Sequence, residues 1–135
     1  MGFAESLRTC FGKYAKFDGR ASRPEFWYFY LFCFIYMFVA GFLLGMIGAS
    51  DAAFGGATLI LMIPIFIPSI AVAARRLHDI NQSGWMQCIF IPGFFGDMLL
   101  GTGYVIYIVT LALWAFWFSQ VGKKGKNRFG AQPKK

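Results

Sequence analysis

The sequence predicts an all-α integral membrane protein, with four transmembrane helices preceded by an N-terminal amphipathic interfacial helix. Three observations predict it. Of the 135 residues 58% are hydrophobic and 14% charged, against about 25% charged in soluble globular domains. Long uncharged apolar runs flank the polar stretch Ala73–Trp85, which holds the single histidine and an adjacent Arg pair. The basic residues lie outside those runs. This length allows one membrane domain, residues 1–135. A net charge of +7 would point to nucleic acid in a soluble chain. Beside apolar runs, the anionic face of a bilayer accounts for it more simply, and no nucleic-acid partner is expected.

Residues 1–24 read as a cytoplasmic amphipathic segment. Phe3, Leu7, Phe11, Tyr14 and Phe17 recur at helical spacing, with Arg8, Lys13 and Lys16 mostly on the other side. Such a helix suits the membrane surface, or packs its apolar face on the spans, or both. Asp18-Gly19 is expected to end it. Met1–Ser6 loosely fits a myristoylation pattern, but a chain with its own spans needs no lipid anchor. No signal-peptide pattern is present, because the first apolar run begins near Glu25.

The four spans are expected at about 26–48, 57–74, 84–100 and 104–119, within residues 25–119. Ser22 and Glu25 have capping-box spacing around Pro24. The uncharged run from Phe26 to Gly48 is roughly 34 Å of helix, enough for a hydrocarbon core of about 30 Å. Phe26, Trp27, Tyr28 and Tyr30 suit the interface at its start. Gly41, Gly45 and Ala49 form a small-residue row, either internal helix packing or a dimer face. Gly48 to Gly56 reads as a loop carrying Asp51. Pro64 and Pro68 lie inside the second span and predict a kinked or locally unwound helix. Ser83 is a candidate N-cap for the third span. The run from Gly84 to Phe118 is too long for one span, and its glycines place a turn between Gly96 and Gly103. The basic tail, 120–135, is expected to be poorly ordered at its end.

Charge supports four spans. That layout puts Arg8, Lys13, Lys16, Arg20, Arg23, Arg75, Arg76, Lys123, Lys124, Lys126, Arg128, Lys134 and Lys135, all 13 bases, on one side. The opposite loops carry Asp51 and Asp97 and no base. By the positive-inside rule both termini are then cytoplasmic and the protein is multi-pass.

Three polar motifs fall on that cytoplasmic face. They are Phe17–Trp27 (FDGRASRPEFW), Ala74–Asp79 (ARRLHD) with Ser83-Gly84-Trp85, and Asn127–Gly130 (NRFG). In this combination and order the chain resembles the small bacterial inner-membrane family catalogued as domain of unknown function 805, from about Phe11 to Pro133. The resemblance implies a multi-span protein of the bacterial inner (plasma) membrane. It implies no activity.

Catalytic and metal chemistry find little support. His78 and Asp79 are the one close ligand pair, fewer than a metal needs. Cys10, Cys33 and Cys88 read as small buried apolar side chains, and no cofactor is expected. Ser83, His78 and Asp79 form a triad on paper only; three polar residues in one interfacial loop more often serve as caps and ion-pair partners. The spans hold no ionisable side chain except Asp97 at a turn, which counts against a proton-coupled pump. The expected function is therefore a non-enzymatic membrane module that binds lipid or a partner protein, as a monomer or homo-oligomer. A subunit of an oligomeric transporter or channel is the alternative, and a membrane enzyme acting on a lipid head group comes third. Arg20, Arg23, Arg75 and Arg76, with His78 as an extra donor, are the candidate site for an anionic phospholipid phosphate, because arginine's planar fork suits it. The same arginines can instead snorkel and cap helix ends. Glu25 is expected to offset a neighbouring Arg, and Asp79 to pair with Arg75 at i,i+4.

Overall fold

The computed structural model describes residues 1–91 and 104–133. Those residues form helices α1 (Phe3–Gly12), α2 (Arg23–Met46) and α3 (Asp51–Asp79), a 3-10 helix (Gly84–Phe90) and α4 (Tyr104–Ser119). Among them there is no strand, only an isolated bridge between Asn127 and Gly130. The chain divides into two compact units. One comprises Met1–Lys16 and Pro24–Val72, the other Phe17–Arg23 and Ala73–Lys135.

In the first unit α1 buries Ser6 and Cys10, one turn apart. Both are small, which lets α1 approach α2 closely; Cys10 Sγ lies 3.9 Å from the Glu25 carbonyl oxygen and from Oε1. Phe3 and Phe11 flank that contact, meeting Tyr28 and the pair Phe29 and Phe32 edge-on. The contact face is thus turned from the predicted Phe3–Leu7–Phe11 stripe toward Ser6 and Cys10. The helix also stops earlier than predicted. The Lys13 amide bonds the Thr9 carbonyl and closes the last turn just after Gly12, so Tyr14 and Phe17 are not on this helix. Gly19 takes its left-handed conformation (φ +88°) in the segment beyond.

Helices α2 and α3 are long and apolar enough to cross a membrane. Much of their surface is exposed ring and aliphatic side chain, including Phe34, Phe38, Phe42, Leu59, Ile60 and Ile63, which suits lipid and not water. The Tyr30 hydroxyl donates to the Ser69 carbonyl, joining the two. A Cβ on Gly41 would stand 3.6 Å from the Phe54 ring, an ordinary contact between α2 and α3, and among the described residues nothing comes within 4 Å of one on Gly45.

The loop predicted over Gly48–Gly56 shrinks to Ile47–Ser50. Gly48 turns the chain at φ +65°, and α3 starts at Asp51. Ser50 Oγ accepts from the Ala53 amide, and Asp51 lies in the first turn, where an acid favours the helix dipole. This local cap outweighs the weak helix propensity of Gly55 and Gly56. At Pro64 and Pro68 α3 is not locally unwound; it runs as one helix to Asp79.

In the second unit α3 ends in a Schellman arrangement. The Gln82 amide bonds the Leu77 carbonyl, the Asn81 amide bonds that of His78, and Asn81 is left-handed at φ +65°. Ser83, extended at ψ 140°, precedes the 3-10 helix without a side-chain cap bond. Gly84–Phe90 was predicted to open an α-helical span and is 3-10 instead. The rest of that span, Asp97 and the turn between Gly96 and Gly103 lie outside the described residues, as do Lys134 and Lys135. Phe118 is buried near the end of α4, against Trp114 and Phe90. The 16 described residues of α4 make roughly 24 Å of helix.

Candidate functional site

The last turn of a helix leaves its carbonyls without helical partners. At the end of α3, beside the local bonds to Leu77 and His78, three carbonyls accept from distant segments. Ala21 donates its amide to the Arg75 carbonyl (2.9 Å), Lys123 to that of Asp79 (2.9 Å), and the Asn127 side-chain amide to that of His78 (2.8 Å). The segment before α2 and the carboxyl-terminal tail are thereby stitched onto one helix end.

Side chains complete the junction. Asp79 sits between two arginines: Oδ1 accepts from Arg20 Nε at 2.9 Å and is 2.8 Å from Nη2, and Oδ2 accepts from Arg76 Nη1. Both guanidinium side chains are almost fully buried. Arg20 also donates to the carbonyls of Lys123, Gly125 and Gly130, and Arg76 to those of Phe118 (3.1 Å) and Gln120. Five main-chain carbonyls, four in the tail and that of Phe118 at the end of α4, thus meet two planar guanidinium forks. Burial pushes the Arg76 pKa down from its ordinary value, and the Asp79 carboxylate opposes that.

The predicted site is therefore brought together only in part. Arg20, Arg75, Arg76 and Asp79 are buried, His78 is half-buried, and Arg23 is exposed. Asp79 pairs with Arg20 and with Arg76 at i,i+3, which take one carboxylate oxygen each. Glu25 is buried in the first unit, with Cys10 beside its carboxylate. The triad is not assembled: Asp79 is bound by arginines, and His78 Nδ1 faces the Gly19 carbonyl at 3.0 Å. Among the described residues no three His, Cys, Asp or Glu side chains are grouped to hold a metal.

Sequence reasoning missed the tail. Phe129 stacks flat on His78, with centroids 3.8 Å apart at 6°, and Arg128 lies over the Phe129 ring at 4.6 Å. The NRFG motif was visible, but nothing in it named these partners. Close approach also demands Gly84, where an added Cβ would meet the Ala74 Cβ at 2.8 Å and its Cα at 3.3 Å. Gly84→Ala is expected to destabilise the protein by about 1–3 kcal/mol through overpacking. Thermal unfolding in detergent micelles would check this, and an unchanged midpoint would contradict the packing.

The family model described as "Protein of unknown function (DUF805)" matches residues 14–131. Among curated relatives, "Inner membrane protein YhaH" of Escherichia coli (strain K12) is 39% identical over 122 residues, covering 90% of this chain and 89% of the relative. "Inner membrane protein YhaI" of the same strain is 31% identical over 122 residues, covering 90% and 88%. No solved structure matches the chain.

Proposed function

The chain belongs to the DUF805 family, and from that premise we propose a non-enzymatic inner-membrane module that binds the anionic face of the bilayer through its exposed bases. The observation that carries this reading is the division of labour among the basic residues. Arg20 and Arg76 are engaged by Asp79 and by tail carbonyls. Arg8, Lys16, Arg23, Lys123, Lys124, Lys126 and Arg128 are exposed. Arg20 and Arg76 hold the tail, Arg128 lies on Phe129 and donates to Asn81, and the other exposed bases are left to meet phosphate.

Four spans with both termini cytoplasmic remain our topology, on the strength of the base-free Asp51 and Asp97 loops. Reporter fusions after Asp51 or Asp97 should signal outside, and fusions after Asp79 or at Lys135 inside. An outside signal at Lys135 would overturn the topology.

The lipid reading is tested on protein purified with its native lipid. Replacing Lys16, Lys124 and Lys126 together with Gln should weaken anionic-lipid retention by about 1 kcal/mol per base without changing unfolding. Unchanged retention would contradict the proposal. Retention lost only on replacing Arg75 and Arg76 with Gln, in protein that remains folded, would restore a specific head-group site at the junction.

A further inference from the structure

We propose that the Asn127–Gly130 turn is an acid-releasable latch, closed on neutral His78 and lifted when that imidazole takes a second proton. The preceding tail stays clamped by Arg20 and Arg76 throughout.

The geometry defines the closed state. Asn127 and Gly130 exchange two main-chain hydrogen bonds (3.0 and 3.1 Å), and Asn127 Oδ1 accepts from the Phe129 amide at 2.9 Å, so the turn is a unit. It is held by the Asn127 bond to the His78 carbonyl, by the His78–Phe129 stack, and by Arg128 donating to the Asn81 carbonyl at 3.2 Å. The contact of Arg20 with the Gly130 carbonyl is long, at 3.4 Å.

His78 is placed to sense acid. A carbonyl oxygen only accepts, so Nδ1 facing Gly19 carries the proton of the neutral ring and Nε2 is bare. A Cβ at Gly84 would lie 3.3 Å from Nε2, so this side of the ring is close to the Gly84 backbone. One face of Phe129 is taken by His78, which leaves the other to the Arg128 guanidinium. Protonation therefore places two cations on opposite faces of one ring.

The charges around His78 are mixed. Asp18, from the segment before α2, and Arg128, from the tail, act on it in opposite directions, and its own helix end carries Arg75, Arg76 and Asp79. Gly84–Phe90 contributes none. Burial depresses the His78 pKa below its ordinary 6.5 and Arg128 adds to this, while the Gly19 carbonyl and Asp18 oppose it. A group whose pKa is lower in the closed form binds its proton better in the open form. The latch is thus fully closed above the ordinary value, and closure is lost as pH falls from there through the depressed one. The tail from Phe118 to Lys123 is gripped by guanidinium groups, which keep their charge across that window.

Hydrogen exchange on the full chain in micelles tests this, compared at about pH 7.5 and about pH 5 after correction for intrinsic exchange rates. Exchange across residues 126–133 is expected to rise about tenfold at the lower pH, while residues 118–123 change by less than about twofold. Because His78 is the single histidine, its imidazole resonances report its titration directly, and the turn's response should follow them. His78→Phe keeps a stacking face but cannot take a proton, so its turn should no longer respond to pH. A turn indifferent to pH, a response that survives in His78→Phe, or residues 118–123 loosening with the turn would each overturn the latch. Should His78→Phe not fold, the wild-type comparison decides: opening that does not track the imidazole titration refutes the proposal.

Discussion

Asp79→Asn is expected to destabilise the protein by about 3–5 kcal/mol, the usual cost of removing one partner from a buried ion pair. The side chains of Arg20 and Arg76 are 0% and 1% exposed, and that of Asp79 is 7% exposed, so little water is present to take over. Asparagine preserves shape but offers one acceptor oxygen and no charge. Two guanidinium groups would then share a buried space without their common counter-charge, and at least one would lose its acceptor. Breaking the cluster should also free the tail, because Arg20 and Arg76 hold the carbonyls of Phe118, Gln120, Lys123 and Gly125 only while their own positions are fixed. Equilibrium unfolding in mixed micelles, followed by tryptophan fluorescence, measures this. Asp51→Asn is the control, since Asp51 is exposed at the start of α3 and its dipole contribution is at most about 1 kcal/mol. If the two substitutions cost the same, the cluster is not what holds the junction.

Gly122→Ala should come close to that effect through sterics alone. An added Cβ would fall 1.8 Å from Asp79 Oδ2 and 2.6 Å from Cγ. The carboxylate cannot swing aside, because Arg20 and Arg76 hold it from two directions. The tail backbone must move instead and give up the bond from the Lys123 amide to the Asp79 carbonyl. Overpacking of about 1–3 kcal/mol and one or two strained charge-assisted bonds of about 1.5–3 kcal/mol each suggest a total of about 3–4 kcal/mol. A double-mutant cycle makes the cause testable. In an Asp79→Ala background the clashing atoms are gone, so Gly122→Ala should cost under about 1 kcal/mol. Additive effects would mean that Gly122 matters for some reason other than its approach to Asp79.

Some of the junction was legible before any fold was known. The three polar motifs could be marked because charge and histidine stand out against apolar runs, and the second unit brings together Arg20, Asp79 and Arg76 with Asn127 and Phe129. The pattern that opens α3 was also present, in Ser50 and Asp51, but the glycines that follow make the same stretch read as a loop. The turned face of α1 was harder to see. Hydrophobic periodicity marks large side chains, whereas close helix approach here depends on two small ones, Ser6 and Cys10.

The sequence by itself determined the class of protein: long apolar helices, basic residues excluded from them, and polar motifs at their ends. These follow from composition and spacing, which act locally and need no partner. Only the tertiary structure decided what the arginines do. Arg20 meets Asp79 across 59 residues, and the other acceptors of Arg20 and Arg76 are main-chain carbonyls between Phe118 and Gly130. Every residue carries a carbonyl, so such acceptors leave no signature in a sequence. Which of them lie within reach of a buried guanidinium depends on how the chain closes over long separations. The same four arginines, read one by one, suit a lipid phosphate equally well; the fold turns two of them inward to hold the tail and leaves Arg23 exposed.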